Sequence, residues 1–193
     1  MASKLEKLVF VKSLWVDGCV KLINIPGLAH CTRLLKLVLT DCCELQELPS
    51  LKALVSLEEL WAKKCVKLKR IKGLARATKL RYLNVSYCSE LEELPSMETL
   101  VSLEKLVAAG CMKLKSIRGL LQLTKLRELN VCGCPDLKEV EDVEHITWLK
   151  VLDLSMCRKM QCLMWISWAE KEMLNRLHGR RYLISLCVQN YSV

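Results

Sequence analysis

The side chains best equipped for chemistry in this chain are its cysteines. There are 12 among 193 residues, and seven of them, Cys19, Cys42, Cys65, Cys88, Cys111, Cys134 and Cys157, follow one another at intervals of 23 residues. Thiolates bind zinc and exchange disulfides, so a metal or redox array is the first chemistry to test. The spacing does not suit it. Structural zinc sites draw on cysteine pairs about two to four residues apart, and the chain has no C-x-x-C, only Cys132-Gly133-Cys134 and the adjacent Cys42 and Cys43. The three histidines, His30, His145 and His178, lie far apart, with no serine or carboxylate spaced as a nucleophile and base would be. The seven glycines form neither G-x-x-x-x-G-K nor G-x-G-x-x-G. The reading is therefore of a chain that is not an enzyme and takes no cofactor.

A fixed period is what positions those cysteines. Each 23-residue coil can be numbered with its cysteine at position 9. Position 1 then holds Val11, Leu34, Leu57, Leu80, Leu103, Leu126 and Leu149, and position 4 holds Leu14, Leu37, Leu60, Leu83, Leu106, Leu129 and Leu152. Position 6 is aliphatic in all seven coils, and positions 12, 15, 18 and 21 are apolar in nearly all. The unit L-x-x-L-x-L-x-x-C-x-x-L has the pattern and length of a leucine-rich repeat. Positions 4 and 6 alternate, as a short strand with one inward face requires. From position 9 the inward residue recurs every third position, which suits a 3₁₀ or extended return. The expected fold is an α/β-type repeat solenoid, a leucine-rich-repeat horseshoe. Short parallel strands line its concave face, 3₁₀ or extended returns its convex face, and a short helix closes its C-terminus. In such a coil position 9 needs a small polar side chain to satisfy backbone groups, and a buried thiol can do this weakly. The seven cysteines are thus expected to form a structural ladder.

Alternate coils resemble each other, so the unit of duplication is 46 residues. Position 11 reads Lys21, Glu44, Lys67, Glu90, Lys113, Asp136, Lys159, an alternation of sign that sets opposite charges side by side in a stack. The net charge of +9 is interleaved with acid in the same way, which argues against a nucleic-acid-binding surface. Only the run from Lys63 to Lys72 is locally dense in basic residues. Outward strand positions 3, 5, 7 and 8 carry Trp15, Trp61, Tyr82, Asn84 and Tyr87, with Glu59, Lys63, Lys64, Asn130 and Asp153 around or beyond them. Exposed aromatic residues beside charges are the composition of a protein-binding hot spot. The expected partner is accordingly a protein ligand or a neighbouring receptor domain on the concave face, with no nucleic acid and no membrane.

Residues 1–10 match the tail of a coil, with Leu5 and Leu8 at positions 18 and 21, and seven coils occupy 11–171. Residues 172–193 are expected to cap the stack. Ser167-Trp168-Ala169-Glu170 has capping-box spacing and announces a helix over about 168–178, and Leu183, Leu186 and Val188 suggest a final strand over about 183–188. The first residues lack the apolar segment and cleavage site of a secretory signal, and no apolar run approaches the ~20 residues that span a bilayer. Those features predict a cytoplasmic protein with free thiols, the Lys63–Lys72 run being compatible with nuclear entry as well.

Stretches such as Leu80-Arg81-Tyr82-Leu83-Asn84-Val85-Ser86-Tyr87-Cys88-Ser89-Glu90-Leu91-Glu92-Glu93-Leu94-Pro95-Ser96 carry the C-x-x-L-x-x-L-P signature. On these residues the whole of 11–171 resembles the leucine-rich-repeat region of plant intracellular nucleotide-binding disease-resistance receptors, the TIR/NBS-LRR type. The resemblance implies repeats that recognise pathogen-derived or host proteins and restrain an adjoining nucleotide-binding switch. The alternative is a stand-alone intracellular scaffold or enzyme regulator built from the same repeats.

Overall fold

The computed structural model describes residues 7–160 and the strand at 183–185. Seven three-residue strands recur at the sequence period: β1 (Ser13–Trp15), β2 (Lys36–Val38), β3 (Glu59–Trp61), β4 (Tyr82–Asn84), β5 (Lys105–Val107), β7 (Glu128–Asn130) and β9 (Val151–Asp153). Each pairs in parallel with the next at an offset of one coil, Leu14 beside Leu37, Leu37 beside Leu60, Leu60 beside Leu83. Between them, β6 (Ser116–Ile117) and β8 (Glu139–Val140) form a second parallel pair on the return side. An eighth strand, β10 (Leu183–Ser185), adds to β9 and ends the main sheet. The helix expected at 168–178 lies outside the described residues.

The returns contain both conformations that a three-residue period allows. Short 3₁₀ turns at Leu28–His30, Leu51–Ala53, Leu74–Arg76, Leu120–Gln122 and Val143–His145 occupy positions 18 to 20. Extended backbone precedes them, as in β6, β8 and the Glu47–Arg70 bridge. The inward columns meet in one continuous core, in which Leu37, Leu60, Leu83, Leu106 and Leu129 are wholly inaccessible to solvent. No coil buries these side chains alone, so stacking on its neighbours stabilises each one. No helix among the described residues is long and apolar enough to cross a membrane.

Position 8 enforces the end of every strand. Gly18, Asp41, Lys64, Tyr87, Gly110, Gly133 and Met156 all have φ between +60° and +69°. This left-handed residue turns the chain from the strand toward the inward cysteine. In L residues it costs roughly 1–2 kcal/mol, less in Asp, which hydrogen-bonds locally. Met156 is exposed and gains nothing from its side chain that would offset the strain. Met156→Gly is therefore expected to raise stability by about 0.5–1 kcal/mol despite glycine's extra chain entropy. Urea unfolding checks this as a higher midpoint at unchanged slope.

Candidate functional site

The concave face carries its aromatic residues at the N-terminal half. Positions 3 and 5 of neighbouring strands alternate in sequence but point the same way, so the rings of coils one, three and four approach each other across the sheet. Trp61 on β3 stacks against Tyr82 on β4, with centroids 4.2 Å apart and planes at 29°. On the other side of Trp61 stands Lys36 of β2, its ammonium 5.4 Å from the Trp61 centroid and 5.2 Å from that of Trp15. One cation thus lies between two indoles, and Val38 beneath them is only 7% exposed. Glu59 completes the group: it pairs with Lys36 at 2.7 Å and accepts the Trp61 indole N–H at 2.9 Å. The Lys36 hydrogen bond first, then that of Trp61, holds the Glu59 carboxyl below the usual carboxylate range.

The same device recurs nearby. Lys105 lies 5.8 Å from the Tyr82 ring while pairing with Glu128 at 2.8 Å, and Lys63 lies 5.9 Å from Tyr87. Tyr87 also covers Gly110, whose missing side chain makes room: a Cβ there would come within 2.7 Å of the ring. Lys64 stands apart, 3.5 Å from Asp41 in the preceding coil.

Asn84, Asn130 and Asp153 have a different part. Each sits at position 5 and accepts, through its side-chain oxygen, the backbone N–H two residues on: Ser86 at 3.0 Å, Cys132 at 3.1 Å and Ser155 at 3.1 Å. These are Asx turns that close the strand ahead of the left-handed residue. Asn84 is 8% exposed, with its amide donating to the Tyr82 hydroxyl at 3.2 Å, and the Asn130 amide lies 3.4 Å from Asp153. The structure therefore brings Trp15, Glu59, Trp61, Tyr82 and Asn84 into one cluster, puts Lys63 and Tyr87 beside it, and leaves Asn130 and Asp153 as a separate pair farther along the sheet.

Behind the strands runs the thiol column. Cys42 donates to the carbonyl of Val16 at 3.0 Å, Cys65 to Leu39 at 3.0 Å, Cys88 to Ala62 at 3.0 Å, Cys111 to Val85 at 3.1 Å, Cys134 to Ala108 at 3.1 Å and Cys157 to Val131 at 3.2 Å. Every bond runs from position 9 of one coil to position 6 of the coil before it. The fold is a leucine-rich-repeat solenoid. No family model matches the chain, and no curated protein matches it in sequence. Among solved structures it is similar to the leucine-rich repeat domain of the type III effector XopL, at 17% identity over 84% of this chain and 76% of that one, with a TM-score of 0.46. It is similar also to the leucine-rich repeat protein TpLRR of T. pallidum, at 18% identity over 83% and 77% with a TM-score of 0.38. A TDR receptor is matched at 15% identity over 83% of this chain but 44% of its own length, with a TM-score of 0.36. The 23-residue register carries the assignment of fold; these likenesses do not.

From Cys42 to Cys157 the ladder thiols are buried and donate to backbone carbonyls. Burial pushes Cys42 up to about 11 and Cys157 up to about 12. Cys88 and Cys134 are raised further, by the neighbouring thiols of Cys65 and Cys111 and then by burial. A thiol held protonated is neither nucleophile nor metal ligand. Among the described residues no group of three or more His, Cys, Asp or Glu could hold a metal ion. Brief alkylation of the native protein near pH 8 is expected to modify Cys19, which is exposed, and then the half-buried Cys43 and Cys132, while Cys65, Cys88, Cys111 and Cys134 stay intact. Mass mapping that found these four modified first would contradict the ladder.

Among the described residues the position-11 column is paired in one direction only. Lys67 reaches Glu44 at 2.7 Å, Lys113 reaches Glu90 at 2.6 Å and Lys159 reaches Asp136 at 2.5 Å, each lysine bonding the acid of the coil before it. Sequence reasoning passed over Lys36, Lys105 and Glu128. The signal was present in the position-3 column, where Lys36 precedes Glu59 and Lys105 precedes Glu128 by one coil.

Proposed function

We propose that this chain is a non-enzymatic protein-recognition module that binds its partner through the N-terminal half of the concave face. The observation that carries this is the Trp15–Lys36–Trp61–Tyr82 cluster. Large rings with few rotatable bonds give much contact area at low entropic cost, and such residues dominate binding hot spots. The charges favour a protein over a nucleic acid. Lys36 and Lys105 are already engaged by Glu59 and Glu128, so the cluster has little cationic surplus for phosphates. We further propose, from the likeness of 11–171 to disease-resistance receptors, that the module is the sensing or autoinhibitory part of a plant-type immune receptor acting in the cytoplasm and nucleus.

The test is quantitative capture of a cytosolic partner by the wild-type chain beside the double variant Trp61→Ala, Tyr82→Ala. Both rings are half-buried on an outer face, away from the leucine core. The variant is expected to keep the wild-type circular dichroism spectrum and lose affinity by about 30-fold or more, the effect of removing a hot spot worth about 2 kcal/mol. Unchanged capture by a folded variant would overturn the reading.

A further inference from the structure

The Lys36 ammonium fills a space built from three neighbouring strands. Trp15 on β1 and Trp61 on β3 share position 5 two coils apart, so their rings stand about 10 Å from each other, twice the inter-strand spacing. Val38 on β2 is buried between them as a floor. The ammonium lies 5.2 Å from one indole centroid and 5.4 Å from the other, within the ~6 Å over which a ring face attracts a cation. Glu59 supplies the counter-charge, and only one of its oxygens is used. The Lys36 ammonium at 2.7 Å and the Trp61 N–H at 2.9 Å both lie against Oε2, while Oε1 has no hydrogen bond from the described residues. The same two contacts hold the carboxyl ionised. Three coils' length farther along the sheet, Lys105 has the matching valine, Val107, and the matching carboxylate, Glu128, but Asn84 and Asn130 stand where Lys36 has its indoles. The two-ring space therefore occurs at Lys36 and not at its counterpart.

A stack held by its leucine core gains little from this arrangement. The side chains of Lys36 and Glu59 are 29% and 38% exposed, and exposed ion pairs and cation–π contacts add little to stability. Both kinds of contact strengthen once a partner excludes water from them. A guanidinium suits the space better than the ammonium now in it. Its planar fork spans both oxygens of a carboxylate, where Lys36 meets one, and it stacks on aromatic faces. We propose that the space between Trp15 and Trp61 receives an arginine side chain of a protein partner, and that Lys36 is the tethered cation it displaces. The proposal rests on the concave face being the recognition surface and names the chemistry recognised there. The incoming guanidinium takes Oε1 and Oε2 of Glu59, and the Lys36 ammonium turns out to solvent. Lys36 thereby sets a threshold for entry, because a neutral or acidic side chain cannot replace a cation between two indoles and a carboxylate.

The probe is N-acetylarginine methylamide, titrated into the full chain with isotope-labelled tryptophans and followed at the indole N–H resonances. The signals of Trp15 and Trp61 are expected to move with this probe and to stay in place with its neutral isostere, N-acetylcitrulline methylamide. Lys36→Met is expected to bind the arginine probe about fivefold more tightly, because apparent affinity is reduced by the fraction of molecules whose space is already filled. Adding Glu59→Gln to Lys36→Met keeps an acceptor for the Trp61 N–H but removes the charge, and is expected to weaken binding about fivefold, the scale of one exposed ion pair. Three results would overturn the proposal: no movement of either signal in the Lys36→Met chain, equal movement with the citrulline probe, or tighter binding of N-acetylglutamate methylamide than of the arginine probe to the wild-type chain. The last would assign Lys36 itself to a partner's carboxylate. A chain that ignores the arginine probe but loses its captured partner on Trp61→Ala, Tyr82→Ala would keep the concave face as the recognition surface for another chemistry, so the two failures are distinguishable.

Discussion

Leu83→Ala is expected to lower the stability of the whole stack by about 2–5 kcal/mol, the range for emptying a leucine-sized space in a core that cannot fully collapse. Leu83 is wholly buried at position 4 of the central strand, between Leu60 and Leu106 in the same row. A solenoid transmits the loss. Each coil is held by its two neighbours, so a cavity in the middle weakens both interfaces. The change should appear in urea unfolding as a lower midpoint. If cooperativity breaks at the fourth coil, the slope will fall as well, because two shorter stacks then unfold separately. Leu14→Ala, at the same position of the first coil, is expected to cost distinctly less, because Leu14 is only partly buried. Equal losses at the two sites would contradict a stack whose stability comes from neighbour contacts.

Gly119→Ala is expected to cost about 2–4 kcal/mol, and Gly133→Ala only about 1 kcal/mol, although both glycines are left-handed, at φ +77° and +68°. The surroundings make the difference. A Cβ on Gly119 would stand 2.8 Å from the Glu98 backbone nitrogen and from the Ser96 hydroxyl, so the adjacent return must move. A Cβ on Gly133 meets nothing nearer than the Gly110 backbone at 3.8 Å. The first substitution therefore adds a backbone collision to conformational strain, and the second adds strain alone. Thermal melts of the two variants side by side give the comparison. A smaller loss at Gly119 than at Gly133 would mean that the returns of neighbouring coils do not approach as closely as this structure has them.

Much of the fold is legible in the sequence because it is periodic. The cysteine interval alone aligns the coils, and the alignment places Leu37, Leu60 and Leu83 in one inward row and Cys42, Cys65 and Cys88 in another. Alternating signs at position 11 likewise announce the Glu44–Lys67 and Glu90–Lys113 pairs. The left-handed residue at position 8 is harder to read, because only Gly18, Gly110 and Gly133 mark it, while Asp41, Lys64, Tyr87 and Met156 hide it. Three glycines at multiples of the repeat were a sufficient signal, and they explain why Lys64 and Tyr87 project as they do. At position 5, Trp15 and Trp61 were visible as outward aromatics. That Asn84, Asn130 and Asp153 in the same column serve the backbone depends on short-range side-chain geometry that composition does not reveal. The Lys36 bridge between two indoles is of the same kind: it arises only when three strands lie side by side, and no single coil contains it.

Site-specific photo-crosslinking tests the functional account most directly. A photoreactive phenylalanine analogue placed at Trp15, which is 61% exposed on the concave face, is compared with the same analogue at Lys113, exposed on the opposite surface. The account predicts that the captured protein partner is crosslinked from position 15 and not from position 113. Crosslinking from position 113 alone would place recognition on the convex face and contradict it.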